Sequence, residues 1–301
     1  MSQPRPSVPL VFFNAFSSEP FGGNPAAIVF LEEELPDATL LGIAKNLNQP
    51  IATFVLPSDT QVVDHSAKTY GVRWFTTVAE VPLCGHGTLA AAGAIFNLGM
   101  VPETVVALEF RTKSGVSLTA KRVEDRVEIT LPAGIVDEVT GEEGERLKSI
   151  IRKALGDDVN VRFVGKGGRR YEHFMLAEID ESNNLGGRTV NTDAFRETGY
   201  ITNVITSVST NTPERFHSRM FAPVHGVHED HVCGSAHCLL TPYWSRKLAL
   251  EGEVIQAKQV SARGGDLKVI WHKPEKSVEG ELGRVALRGE TVLTVKGDLF
   301  L

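Results

Sequence analysis

The sequence is poor in cysteine, has no excess of positive charge and contains no long apolar run. Three cysteines in 301 residues are an odd, sparse set. They do not make a disulfide framework, and they suit thiol chemistry in a reducing compartment. Lys and Arg number 31 against 37 Asp and Glu, and the basic residues are scattered, which argues against a nucleic-acid surface. No apolar stretch reaches the roughly 18–20 residues that cross a bilayer, so no membrane segment is expected. Met1–Pro9 has neither a basic start nor a long apolar core, so no secretory signal is expected and the chain reads as cytoplasmic. What remains is a 42% hydrophobic composition over a length that allows two ordinary domains, each with its own core.

Two segments about half the chain apart are alike. The first runs Arg73-Trp74-Phe75-Thr76-Thr77-Val78 and then Cys84-Gly85-His86-Gly87-Thr88. The second runs Arg219-Met220-Phe221-Ala222-Pro223-Val224 and then Cys233-Gly234-Ser235-Ala236-His237, with a loop three residues longer. Each is an extended run, a loop and a Cys-Gly start to an Ala- or Leu-rich stretch. A duplicated strand–loop–helix unit with a thiol at each helix start suits proton removal on one face of a carbon and delivery on the other.

The elements around these segments follow the same order twice. Apolar runs predict strands over 8–16, 26–31, 53–56, 71–75, 105–110, 116–121 and 127–131. Spacings of three and four predict a helix over 37–48, and an all-apolar helix over 88–98 that should be buried all round. In the second half, helices are read over 144–155 and 239–250, with a helical turn over 192–197. Strands are read over 162–164, 173–177, 204–208, 216–221, 254–260, 267–271, 285–287 and 290–296. The expected class is α+β, with two pseudo-symmetric halves, each a mostly antiparallel sheet around a central helix. The expected bounds are 1–122 with a returning strand in 286–301, and 123–285.

A helix N-terminus offers unpaired N–H groups and the positive end of a dipole, so it holds a carboxylate and favours thiolate. Cys84 and Cys233 are therefore the candidate acid/base pair, and Gly85 and Gly234 allow close backbone approach. Cys238 has no counterpart in the first copy and reads as core. The strings Phe21-Gly22-Gly23-Asn24-Pro25-Ala26-Ala27, Trp74-Phe75-Thr76 to Thr88, Glu229-Asp230 to His237, and Ser261-Ala262-Arg263-Gly264-Gly265 resemble the PhzF (phenazine biosynthesis-like) family, in order and over nearly the whole chain. That family is similar to diaminopimelate epimerase and proline racemase. The resemblance implies a sheet wrapped round a central helix in each half and an active site between the halves.

The sequence departs from the family at two points. The family's acid/base Glu stands in a motif N-L-S-E-T-x-F, and here Asn48-Gln49-Pro50-Ile51-Ala52-Thr53-Phe54 puts Ile51 at that place. Family members usually have Thr before the second Gly-Ser-Ala, and here it is Cys233. The chain thus loses one acid/base group and gains the cysteine pair of two-cysteine epimerases and racemases.

Further candidates for substrate binding are Asn24 in a glycine turn, His86 and Gly87 after the first Cys-Gly, Asp230, and Ser235. By resemblance, His86 matches the family's active-site His and Asp230 a carboxylate near the reacting centre. Gly165–Arg170 is Gly-rich and basic but lacks the Walker spacing. His225, His228, His231 and His237 show no metal-ligand spacing. The expected function is a cofactor-independent and metal-independent isomerase, an epimerase or racemase acting next to the carboxylate of a small amino-acid-like molecule. The alternatives are a PhzF-like hydrogen shift in an unsaturated or cyclic acid, and a non-catalytic ligand-binding or adaptor protein. A homodimer is left open.

Overall fold

The computed structural model describes residues 6–58, 66–274 and 282–301. Met1–Arg5, part of the stretch inspected for a secretory signal, lie outside them. In chain order the first elements are β1 (Ser7–Ala15), β2 (Asn24–Phe30), α1 (Asp37–Leu47), β3 (Ala52–Pro57), β4 (Ala67–Phe75) and β5 (Glu80–Val81). Then come α2 (Gly85–Asn97), β6 (Ala107–Arg111), β7 (Ser117–Val123), β8 (Arg126–Pro132), β9 (Val136–Glu138), α3 (Gly141–Leu155), β10 (Val161–Gly167) and β11 (Phe174–Ile179). The rest are β12 (Thr202–Val208), β13 (Phe216–Ala222), β14 (Val227–Asp230), α4 (Gly234–Lys247), β15 (Ile255–Gln259), β16 (Gly265–His272), β17 (Arg284–Gly289) and β18 (Thr291–Phe300). No helix among the described residues is long and apolar enough to cross a membrane.

These elements form two compact units, one within Met1–Thr130 together with Arg288–Leu301, the other Leu131–Leu287. The first crossing falls later than the 122/123 expected from sequence. The β7–β8 hairpin, with Ala120 opposite Ile129, keeps β8 with the first sheet up to Thr130.

In the first unit, β1 pairs antiparallel with β18 and β2, and β2 runs parallel to β3. β3 is antiparallel to β4, β4 is parallel to β6, and β6–β7–β8 continue antiparallel. The second unit repeats the scheme. β10 is antiparallel to β11, β11 parallel to β12, β12 antiparallel to β13, and β13 parallel to β15, which hairpins with β16. The sheets are thus mostly antiparallel, with two parallel pairs at matching places in each. Each parallel pair needs a crossover. In the first unit α1 makes the β2–β3 crossover and buries Leu40, Ile43 and Ala44 against Val29, Phe54 and Leu56. In the second, short 3-10 turns carry β11 to β12. Their Leu185, Ala194 and Phe195 pack with Leu147 and Ile151 of α3.

The second crossover of each unit contains its central helix. α2 is buried on nearly every side, from Gly87 through Phe96. Three glycines weaken it as an isolated helix by about 1 kcal/mol each, so tertiary burial maintains it. The small residues also let the sheet close in: a Cβ on Gly93 would meet Thr291 Oγ1 at 2.3 Å. α4 starts at Gly234, five residues before the start read from sequence, because its polar first turn hides the apolar period. It contains Pro242. Proline has no N–H to offer the carbonyl four residues back, and the Gly134 N–H takes that place on Cys238 O at 3.0 Å.

Candidate active site

In each unit the strand before the central helix carries an arginine that fixes the loop. Arg73 on β4 is almost wholly buried and meets Glu80 with both arms at 2.8 and 2.6 Å, and also Glu34 and Asp37. Hydrogen bonding to Glu80 leads the causes that hold the Arg73 guanidinium even more firmly protonated than usual. Arg219 on β13 meets Glu229 with both arms at 2.7 and 2.8 Å, and its remaining nitrogen donates to the carbonyls of Leu185 and Arg188. Each guanidinium also stands over the phenylalanine two residues on, Phe75 at 5.0 Å and Phe221 at 5.3 Å. Glu80 and Glu229 lie on β5 and β14, two short strands that the sequence reading missed. They are too short to show a period, and the arginine pairing marks them.

From these anchored loops the chain enters the helices through cysteine. Cys84 is the N-cap of α2, with extended backbone, and its sulfur accepts from Gly87 N–H at 3.4 Å. His86 Nδ1 is 3.4 Å from the same sulfur, and Thr88 Oγ1 donates to the Cys84 carbonyl at 2.6 Å. Gly85 and Gly87 are the first and third residues of the helix. Asn24, fully buried, opens β2 after Gly23, whose φ of +68° and 2.3 Å clearance to Ala15 O leave no room for a side chain. Ile51 is buried beside β3 and contributes its carbonyl to Ala27 N–H.

Cys233 caps α4 in the same extended conformation, and the Ala236 N–H, the counterpart of Gly87 N–H, acts on its sulfur without closing a full cap hydrogen bond. Its neighbour is Ser235 Oγ at 3.2 Å. Burial pushes the Cys233 thiol up, with the nearby Asp230 charge adding to the shift, so this group rests as S–H. Gln259 grips the turn from β15. Its Oε1 accepts from Cys233 N–H at 2.9 Å and its Nε2 donates to the Asp230 carbonyl at 2.7 Å. Asp230 ends β14 half-buried, and Gly234 is the first residue of α4.

His237 Nδ1 lies 2.8 Å from the Cys233 carbonyl and donates to it, the role Thr88 plays in the first unit. Burial lowers the His237 pKa to about 4 and keeps the ring neutral. Cys238 is fully buried, and burial pushes its thiol up to about 12. Ser261 Oγ donates to the His231 carbonyl at 2.7 Å and accepts from Gly264 N–H, which ties the Arg263-Gly264-Gly265 turn to this loop.

Each unit thus gathers its own candidates: Cys84 with Gly85, His86 and Gly87, and Cys233 with Asp230, Gly234 and Ser235. Asn24 stands at the start of β2. Gln259 and Thr53, which border the two cysteines, carry no local sequence signal, because strand register brings them there; Trp74 stands within the first repeated string, where nothing marks it as a site residue. The Gly165–Arg170 stretch is accounted for by the fold: a Cβ on Gly167 would lie 2.1 Å from Tyr171 O. Among the described residues no three His, Cys, Asp or Glu side chains converge as metal ligands. His228 instead meets Thr192 Oγ1 at 3.0 Å.

A family model described as "Phenazine biosynthesis-like protein" matches residues 13–297. An uncharacterized isomerase of Pseudomonas aeruginosa is 35% identical over 288 residues, covering 96% of this chain and 97% of its own. A PhzF-family protein of Enterococcus faecalis superposes with a TM-score of 0.81 at 29% identity, over 98% of this chain and 100% of its own. The fold extends to a probable proline racemase from Agrobacterium radiobacter, with a TM-score of 0.59 at 13% identity over 98% and 93% of the two chains. These likenesses support an isomerase-type activity, and the chain belongs to the phenazine biosynthesis-like (PhzF) family.

Proposed function

We propose that the protein is a cofactor-independent epimerase or racemase of a small amino-acid-like carboxylate, with Cys84 and Cys233 as its two acid/base groups. The observation that carries this reading is that both cysteines cap the central helix of their unit, while the family's glutamate position holds the buried Ile51. An aliphatic side chain moves no proton, so the proton carriers must lie elsewhere.

The surroundings of the two thiols favour different roles for them. The Cys84 sulfur receives a backbone N–H at the positive end of α2, an arrangement suited to anionic sulfur. Cys233 is held as S–H by burial. In the forward step the Cys84 thiolate takes the proton from the carbon, forming S–H. The C–H electron pair moves into the adjacent carboxylate as an enediolate. Cys233 S–H then gives its proton to the opposite face of that carbon and becomes thiolate. N–H groups at the positive ends of the helices stabilise the enediolate. The substrate carbon is inverted and the two cysteines have exchanged protonation states, which the reverse reaction or solvent resets. The reading requires both thiols to reach one carbon. Asn24, Gly85, His86, Gly87, Asp230, Gly234 and Ser235 are the proposed substrate contacts.

A second reading, a PhzF-like hydrogen shift, draws on Asp230, whose charge acts on Cys233, and on His86 beside Cys84. Either could stand in for the missing glutamate. Incubation in D₂O with a panel of amino and hydroxy acids separates the readings. Deuterium at a stereocentre without change of connectivity is expected for at least one carboxylate, with no added metal, pyridoxal phosphate or nicotinamide. Cys84→Ala and Cys233→Ala should each slow exchange by about 10²- to 10⁴-fold or more. Full activity in both variants overturns the two-cysteine reading, and a product with a moved double bond selects the hydrogen shift. Ligand binding without any exchange would point to a non-catalytic binding protein.

A further inference from the structure

Beneath the first turn of α2 lie two buried polar groups that the fold does not use. Thr53 Oγ1 and Trp74 Nε1 have no hydrogen-bond partner among the described residues, and both residues are at most 1% exposed. They form one cross-strand pair, Thr53 of β3 opposite Trp74 of β4. Both come up against Gly87. A Cβ there would lie 2.7 Å from Thr53 Oγ1, 3.0 Å from Trp74 Cδ1, the atom bonded to Nε1, and 3.3 Å from Cys84 Sγ. A hydroxyl, an indole N–H edge and the thiol sulfur therefore border one small volume.

Leaving a buried polar group unpaired costs about 1–3 kcal/mol. The second unit shows that packing does not demand polarity here. Its corresponding cross-strand pair is Val204 of β12 opposite Met220 of β13. The third residue after its cysteine is Ala236, where the first unit has Gly87. All three are buried and apolar, so the equivalent positions carry no polar side chain. The polarity in the first unit is surplus to the fold and lies beside the sulfur that would carry charge.

We propose that the Thr53 hydroxyl, assisted by the Trp74 indole N–H, is a hydrogen-bond donor set aside for negative charge on the Cys84 sulfur. This rests on the reading of Cys84 as the proton-removing base. The indole N–H can only donate and the hydroxyl can donate, so both match an anion. Thr53 Oγ1 and Cys84 Sγ lie 2.7 and 3.3 Å from the same point over Gly87, so the two atoms are no farther apart than the sum of those distances. Donors to an ionised acceptor bind about twice as strongly as neutral pairs, so the interaction strengthens when the thiol loses its proton. Thr53 is then a positioning residue that acts through Cys84.

The test is the rate of Cys84 alkylation by iodoacetamide against pH. It is read by peptide mass spectrometry in the full chain and in Thr53→Val, Thr53→Ser and Trp74→Phe. Thr53→Val should move the midpoint up by about one pH unit, a tenfold loss of thiolate near neutrality. Thr53→Ser should restore it, and Trp74→Phe should give a smaller upward shift. Because Val removes an unpaired buried hydroxyl at constant shape, the melting temperature of Thr53→Val should hold or rise, where a structural role would lower it. If Thr53→Val does not fold, Trp74→Phe carries the comparison alone. Profiles of Thr53→Val and Trp74→Phe that superpose on the wild type overturn the proposal and leave the role of Cys84 standing. A wild-type Cys84 profile like that of a free thiol, near pH 8.5, overturns both.

Discussion

The two repeats agree in what holds the backbone and differ in what surrounds the sulfur. In both, an arginine clamps the returning strand through a bidentate glutamate and rests on a phenylalanine, and the side chain four residues after the cysteine donates to its carbonyl. That machinery sets the angle at which each cysteine enters its helix. Around the thiols the copies diverge. Cys84 has a cap hydrogen bond from Gly87 and a polar floor, whereas Cys233 has a weaker approach from Ala236 N–H, Ser235, a nearby carboxylate and a neutral buried histidine. Duplication has kept the scaffold and separated the environments, as expected if one sulfur takes a proton and the other gives one.

The arginine clamps are alike in form, and their removal should separate them. Arg219→Leu leaves the half-buried Glu229 and two carbonyls without their donor. It should cost about 3–5 kcal/mol. Arg73→Leu leaves Glu34, Asp37 and Glu80, all reaching solvent, to repel one another. Its loss should be smaller and should shrink in high salt, where exposed charges are screened. Urea denaturation of both variants at low and high ionic strength reads the difference. Equal losses with equal salt response would show the clamps to be energetically interchangeable.

The residue four places after the cysteine gives the next contrast. His237 has its pKa lowered from an ordinary 6.5 to about 4, with burial as the main cause. Below pH 6.5 the unfolded chain takes up a proton that the folded chain refuses, so stability falls as pH drops from about 6.5 to 4. The expected total is roughly 3 kcal/mol at 1.36 kcal/mol per pH unit. His237→Thr copies Thr88 and should flatten this slope, whatever it does to stability at pH 7. Denaturation midpoints at pH 7, 5.5 and 4.5 suffice, and an unchanged slope would place the acid sensitivity elsewhere.

The smallest effects are expected where the copies carry Gly87 and Ala236. Gly87→Ala pushes a methyl to within 3.0 Å of Thr53 Oγ1 and Trp74 Cδ1 and should cost about 1–3 kcal/mol. Ala236→Gly should cost only about 1 kcal/mol, from helix propensity and a lost methyl. Thermal melts of the pair measure the asymmetry directly, and it vanishes if Thr53 and Trp74 can move aside.

Much of this was legible before the structure. The Arg-x-Phe and Cys-Gly strings mark both helix entries, and apolar period located most strands and all four helices, the fourth with its start five residues late. Local pattern failed where an element owes its existence to a distant partner. β5 and β14 exist as the far ends of arginine clamps. Gln259 reaches the Cys233 turn from another strand, and Thr53 meets Trp74 only once β3 and β4 have found their register. The start of α4 was hidden because Gly234 and Ser235 interrupt its apolar run. Between β11 and β12 the helical turn read over 192–197 is a 3-10 helix with those bounds, while the three-residue turns before it are too short to show a period.

Pro242 has a consequence for how the second unit assembles. By having no N–H, it leaves the Cys238 carbonyl without its helical donor, and Gly134 fills that place. Gly134 follows β8 with no local hydrogen-bonding instruction of its own. Its acceptor does not exist until α4, far along the chain, has wound. The entrance to the second unit is thus fastened by a contact of long sequence separation, of the kind that slows folding. The defect in the helix works as a latch that only the finished helix can close.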